Sequence, residues 1–231
     1  MAVRPVLGVD ACPAGWVGVV LAAAGVRALV RAEIGALVRA AADDSGPLRV
    51  VAIDIPIGLA DASTRQADLL ARKAAGPRSA SVFGTPVRAA LQAAAYADAL
   101  AVSRALTGHG ISSQAFRLRD KILQVDGWRG GAPCPVVEAH PELSFAAMAG
   151  APLADAKSTW AGAVRRRDLL AASGIDLTGD LALGGQRVGV DDVLDAAAVA
   201  WTARRVAAGT ARRLPAEPER FSDGVDCAIW T

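Results

Sequence analysis

The sequence holds three cysteines, Cys12, Cys134 and Cys227, which form no CxxC pair and cannot close a disulfide framework. A scattered, odd set suits a reducing compartment, with each thiol read as a small buried apolar residue. Histidine is scarcer still. His109 and His140 are the only two, which argues against a Cys/His zinc site. No run approaches the roughly 18 uninterrupted apolar residues of a membrane span. The chain does not open on a basic segment, an apolar stretch and a cleavage site, so a soluble, cytoplasmic protein without a membrane partner is expected. Lysine is rare too: Lys73, Lys121 and Lys157 stand among 25 basic residues, against 23 acidic ones, for a net charge of +2. That balance does not mark a nucleic-acid binder. The pairs Arg204-Arg205 and Arg212-Arg213 and the run 165–167 read as solvated helix faces.

What is present is a chain of 231 residues, 53% hydrophobic, able to bury a sizeable core in roughly one or two domains. Residues 5–10 (PVLGVD) form a short apolar run that ends in an acid and enters a turn-rich segment. Residues 16–21 read as a second strand and 26–33 as a weaker third, and strands joined so tightly are antiparallel neighbours. A helical stretch at 34–42 leads to 48–55, apolar on both faces as a central strand covered by helices should be. A mostly helical insertion follows over 61–131, broken by a loop at 76–84. Residues 134–138 (CPVVE) read as another strand, and His140-Pro141-Glu142 opens a helix. Ser158 caps a helix running to about Ala172, and the last strong helix spans 192–208, ended by Gly209.

No repeat or linker divides the chain, so a single domain over 1–231 is expected. A meander of three strands, then a helix, a strand, the insertion, a strand and helices is the order of a ribonuclease-H-like α/β fold. Its mixed sheet begins as an antiparallel meander, continues in parallel strands and is flanked by helices. A doubly wound nucleotide-binding fold would need a crossover after the first strand. Gly8, Gly15 and Gly18 also fail to make GxGxxG.

Four carboxylates stand where structure alone predicts something else. Asp10 ends an apolar strand, where it either accepts bonds from turn amides or serves a site. Asp54 lies between Ile53 and Ile55, where a lone charge would cost several kcal/mol unless paired or bound to a cation. Pro56 stops further pairing, which puts Asp54 at the strand's end. In VGVDDVLDAAAVAW, Asp191 and Asp192 suit the first helical turn as capping acids. Asp195 lies beyond the free amides, in a run otherwise fit only for burial. Residues three apart share a helix face, so Asp192 and Asp195 can present two carboxylates in one direction. Acids gathered on an inner face repel one another, and a cation is the usual remedy. Oxygen-only ligands suit Mg²⁺ or Mn²⁺. Glu138, at the end of its strand, could complete the shell, whereas Glu142 reads as serving the helix dipole. His140 reads as the cap of that helix, with assistance in proton transfer as the alternative.

The blocks GVDACPAGWVGVVL, VAIDIPIGL, RSASVFGTPVRAAL, SSQAFRLRDKILQVD, VVEAHPELSFAAMAG, AKSTWAGAVRRRDLL and DDVLDAAAVAWTARR follow one another between Leu7 and about Pro218. Together they resemble the predicted ribonuclease-H-like nuclease family, catalogued as domain of unknown function 429. The sequence is also similar to the Holliday-junction resolvase branch of the wider superfamily. There an acid ends the first strand, another ends the fourth, and a helical D-x-x-D followed by alanines closes the site. Asp10, Asp54, and Asp192 with Asp195 match those positions; Glu138 belongs more loosely, to the family's own block. The resemblance implies catalysis by Asp10, Asp54, Asp195 and Glu138. Two metals about 3.5–4 Å apart, bridged by Asp10, would hydrolyse a phosphodiester in line. Lys157, Lys121, His140 and the loop bearing Arg78, Ser81 and Arg88 would then meet the substrate and its phosphate oxygens.

The expectation is therefore a metal-dependent nuclease or phosphodiesterase with nucleic acid as its partner. A non-catalytic binding module of the same fold is one alternative. A phosphotransferase of the sugar-kinase and actin-like group is another, although those proteins close two such domains around a nucleotide and this chain supplies one. The apolar insertion could also supply a homodimer face.

Overall fold

A computed structural model describes residues 4–231, and one seven-stranded sheet runs through it. Strand β1 (Val6–Cys12) lies inside that sheet because its sequence, VLGVDAC, has apolar residues for both faces. Strands β2 (Gly15–Ala22) and β3 (Gly25–Arg31) follow it as an antiparallel meander. The helix α1 (Ile34–Ser45) then leads to β4 (Val51–Ile53), which enters parallel to β1.

Between β4 and β5 (Val136–Ala139) the chain builds the stretch read from the sequence as a helical insertion. It contains α2 (Gln66–Ala75), a 3-10 turn (Gly76–Ser81), α3 (Arg88–Leu91), α4 (Tyr96–Thr107), α5 (Ser113–Arg117) and α6 (Arg119–Arg129). Beyond β5 come α7 (Pro141–Ala149), α8 (Trp160–Ala172) and the long α9 (Val190–Ala207). Among the described residues no helix is long and apolar enough to cross a membrane.

The chain does not end in helices, as its sequence suggested. It ends in a hairpin, β6 (Arg213–Arg220) and β7 (Asp226–Trp230), and β7 adds parallel to β5. The full strand order is β3-β2-β1-β4-β5-β7-β6. Proline cannot donate to a ladder and is confined to sheet edges. That is why RLPAEPER hid a strand, and why β6 occupies the rim.

One apolar layer lies between the sheet and α9, and the other lies under α1 and α6. The first depends on Gly8. A Cβ there would stand 2.1 Å from the Ala200 amide nitrogen and 2.2 Å from the Ala196 carbonyl oxygen. The backbone of α9 therefore rests directly on β1. Strand side chains alternate between faces, so Asp10 points to the same side as Gly8. Asp195 precedes Ala196, and the packing carries it alongside Asp10.

Candidate active site: an acidic cleft at the strand ends

The pairing of β1 with β4 stops where β4 ends, while β1 runs on beside β2 to Cys12, so Asp10 lies within its strand and not at the end the sequence suggested. Val9 lies opposite Ile53, and the Asp54 amide donates to the Val9 carbonyl at 2.9 Å. Asp10 and Asp54 thus emerge side by side, and α9 adds Asp195 and, one turn earlier, Asp192. All four line a cleft of about 250 Å³ that also takes in Glu138, His140, Glu142 and Lys157.

The cleft is short of positive charge. Asp10 is 8% exposed and accepts one hydrogen bond, from the Ala11 amide at 2.7 Å. Burial first, then the charges of Asp54 and Asp195, raise its pKa well above the ordinary value. The Asp54 carboxylate accepts no hydrogen bond from the described residues, and burial lifts its pKa to about 7 against the pull of Lys157. Burial also raises Asp195, to about 6, although Lys157 Nζ donates to its Oδ2 at 2.5 Å. Carboxylates that share a low-dielectric site cannot all ionise without a counter-charge. Lys157 is the only lysine or arginine among the described residues that line the cleft. Burial opposes its charge, but Asp195, Asp10 and Asp191 outweigh burial and raise its pKa.

The four acids read from the sequence as metal ligands share this cleft without forming a ready coordination set. Among the described residues no three His, Cys, Asp or Glu side chains are placed to hold a metal ion. Lys157 occupies one Asp195 oxygen, and Asp192 Oδ2 accepts from the Gly189 amide at 2.9 Å as an N-terminal cap of α9. His140 is likewise a cap: its Nδ1 accepts from the Glu142 amide at 3.2 Å. Burial lowers its pKa, so the ring is neutral at pH 7.

The loop carrying Lys157 is held from below. A Cβ on Gly162 would stand 2.0 Å from the Ala156 carbonyl oxygen, so only glycine lets this loop sit on α8. Arg166, fully buried, donates through Nη1 to the Asp155 carbonyl at 3.1 Å and through Nη2 to both Glu142 oxygens at 2.7 and 2.8 Å. It joins the lysine loop to α7. The sequence reading had put the run 165–167 on a solvated face, and for Arg166 the structure corrects it. Gly162, Arg166, Leu169 and Leu170 are the buried positions of α8. Their spacing is that of a buried helical stripe and was the available signal.

Glu138 belongs to a different set of contacts. Arg65 Nη2 donates to its Oε1 at 2.7 Å, Arg65 Nη1 to its Oε2 at 3.0 Å, and the Ile57 amide to Oε2 at 2.7 Å. Arg65 also donates to Asp68 and to the carbonyls of Ile57 and Gly58. Asp68 in turn accepts from the Thr85 amide at 2.7 Å. Burial penalises the Arg65 charge, yet Glu138 and Asp68 more than compensate and its pKa is raised. The network fastens the loop after β4 to β5, α2 and the segment 82–85. Nothing in the sequence around Arg65 singles it out.

The family described as "Protein of unknown function (DUF429)" matches residues 8–220. The chain belongs to this family. No curated protein and no solved structure matches it. The DUF429 match begins at Gly8, the residue on which α9 rests, and includes every acid of the cleft.

The remaining expected site residues divide. Ser81, His140 and Lys157 line the cleft. Arg78 stands near it, with Nε 3.9 Å from Glu142 Oε1. Arg88 is turned to Asp126 at 2.5 Å and Asp223 at 2.8 Å. Lys121 lies over the Trp16 ring, 4.6 Å from its centroid. Neither Arg88 nor Lys121 reaches the acids.

Proposed function

We propose that the acidic cleft is the active site of a divalent-metal-dependent nuclease or phosphodiesterase built on a ribonuclease-H-like fold. One observation carries the reading: Asp10, Asp54 and Asp195 arrive from three separate elements, with a single lysine to offset them. The fold reading is supported by the five strands β3-β2-β1-β4-β5, a meander continued by parallel strands, with α9 laid on β1.

The donor set suits a hard divalent cation, because it consists of carboxylate oxygens whose pKa values are raised by burial and, at Asp10 and Asp195, further by neighbouring carboxylates. Asp10, Asp54 and Asp195 would hold Mg²⁺ or Mn²⁺, with Asp192 beside them. When bound, such a cation stabilises charge on a phosphoryl oxygen and lowers the pKa of a coordinated water. Lys157 Nζ, once displaced from Asp195, is a compact charge beside the scissile phosphate. With Nδ1 engaged as an acceptor, neutral His140 keeps its proton on Nε2, which faces the Ser81 backbone, so the ring orients the cleft wall and is not a base.

The test is cleavage of single-stranded, duplex, hybrid and branched nucleic acids with Mg²⁺ or Mn²⁺. Cleavage by the native protein, lost in Asp10→Asn, is expected. Failure to cut any of them with either metal would overturn the proposal. The Lys157–Asp195 pair favours one second reading, a non-catalytic binding module already neutralised by its own lysine. That module would bind no Mn²⁺ in a calorimetric titration.

A further inference from the structure

A second and larger cavity, about 750 Å³, opens beside the acidic cleft. The two share Val82, Phe83, Thr85 and Gln114 as walls, so one depression runs from the acids into the helical insertion. Its volume lies in the range of about 300–1,000 Å³ common to ligand sites. Its chemistry is the reverse of the cleft's: among the described residues its lining holds no carboxylate.

Arg72, on α2, is the guanidinium of this cavity. Its Nε donates to the Val82 carbonyl at 2.7 Å, and its Nη2 lies 3.8 Å from where a Cβ on Gly84 would stand. Its terminal nitrogens have no carboxylate or carbonyl partner among the described residues. A guanidinium anchored through one nitrogen and open at two others is preorganised for a phosphate. Leu69, 47% exposed, and the half-buried Phe83 add apolar walls. Ser63, Thr64 and Ser79 add hydroxyls that bond to no described residue.

We infer that this cavity binds one nucleotide of a single-stranded nucleic acid, the neighbour of the nucleotide held at the acidic cleft. Arg72 meets its phosphate, and Phe83 with Leu69 meets its base. The inference rests on the phosphodiesterase reading of the cleft, because the strand passes from one to the other across the segment 82–85. Charge argues for this division. The acids repel a phosphate in the absence of a divalent cation, whereas Arg72 attracts one unaided. The strand is single because a base reaches the Phe83 ring only when it is unpaired and unstacked.

The experiment measures binding without metal. Fluorescence anisotropy of a short fluorescein-labelled oligothymidylate is followed in EDTA over a range of salt concentrations, using the full chain. The native protein is expected to bind. Arg72→Ala should weaken binding by about fivefold or more and make the dependence of log K on log salt shallower by about 0.7, the share of one single-strand phosphate. Arg72→Lys should keep the native salt slope. Phe83→Ala should also weaken binding by about fivefold or more, the lower end of base–aromatic stacking, without changing the slope. Arg72 is exposed, so its variants are expected to fold. No binding by the native protein, duplex bound as tightly as single strand, or variants that bind like the native protein would each overturn the inference. Cleavage with Mn²⁺ alongside unweakened variant binding removes the cavity inference alone. The expected binding losses without any cleavage leave the cavity standing and remove the nuclease reading.

Discussion

Two groups of buried carboxylates stand at the ends of adjacent strands, and they are neutralised in opposite ways. At Glu138 and Asp68 a planar, fully buried Arg65 fills the acceptors, and backbone amides of Ile57 and Thr85 take others. At Asp10, Asp54 and Asp195 one lysine on a loop faces three acids and leaves most of their oxygens without a donor among the described residues, although burial raises the pKa of these acids and of Glu138 alike. The first group holds the loop after β4 in place and has little left for a ligand. The second has charge to spare, which is what a cation or a reaction would use. Sharing a cleft is therefore not sharing an environment: Glu138 lines the same depression as the acids, but its oxygens are taken by Arg65 and the Ile57 amide.

The largest test of that contrast is Arg65→Met. It strands Glu138 and Asp68 without their cation and should cost about 3–5 kcal/mol in urea unfolding. A loss under about 1 kcal/mol would erase the distinction. Next comes Gly8→Ala, which must push α9 off β1 and should cost about 1–3 kcal/mol. It should also separate Asp195 from Asp10, read as a loss of Mn²⁺ affinity by calorimetry. Unchanged stability would mean that α9 yields without strain.

On the acid-rich side the sign reverses. Asp54→Asn removes a buried charge and no hydrogen bond, so at pH 8 in chelator it should stabilise the fold by about 1 kcal/mol. Destabilisation would show that Asp54 is as fully paired as Glu138. The smallest effect is on pH dependence. The native state keeps protons on Asp54 up to about pH 7 and on Asp195 up to about 6, whereas the unfolded chain gives them up near the ordinary 3.8. Stability contributed by these acids is therefore present near pH 4 and lost as pH rises through 6 and 7. Asp10, also raised, and Glu138, raised to about 7, add to the same trend; His140, with a lowered pKa, works the other way below its ordinary 6.5, but it is one group against four. In EDTA the thermal midpoint should drop by at least about 2–4 °C between pH 5 and pH 8, the equivalent of 1 kcal/mol for a chain of this size. A rising midpoint would contradict the shifts.

Asp54 and Asp195 could be found in the sequence because no cap or turn explained a carboxylate inside an apolar run. Asp192 and His140 could not be decided there: each has a capping role that sequence allows, and the structure shows both making those bonds. Glu138 was grouped with the acids because a strand-end carboxylate looks the same whether or not an arginine meets it. Its partner lies 73 residues earlier. Arg88 and Lys121 sit in motif-rich blocks, but their side chains turn to Asp126, Asp223 and Trp16.

Hydrophobic period and short connections, both local, determined the meander, the central strands and the amphipathic helices. They also marked where acids interrupt a core. Only the tertiary structure decided which of those acids are paired. Neutralisation depends on a cation within about 4 Å, and such a cation can come from anywhere along the chain. The edge strand β6 was hidden for a related reason: a rim position tolerates prolines and charges that strand patterns elsewhere forbid. The lysine and two arginines that separate the sparsely paired acids from the fully paired ones reach their places through Gly162, α8 and the loop after β4, by packing that no local pattern records.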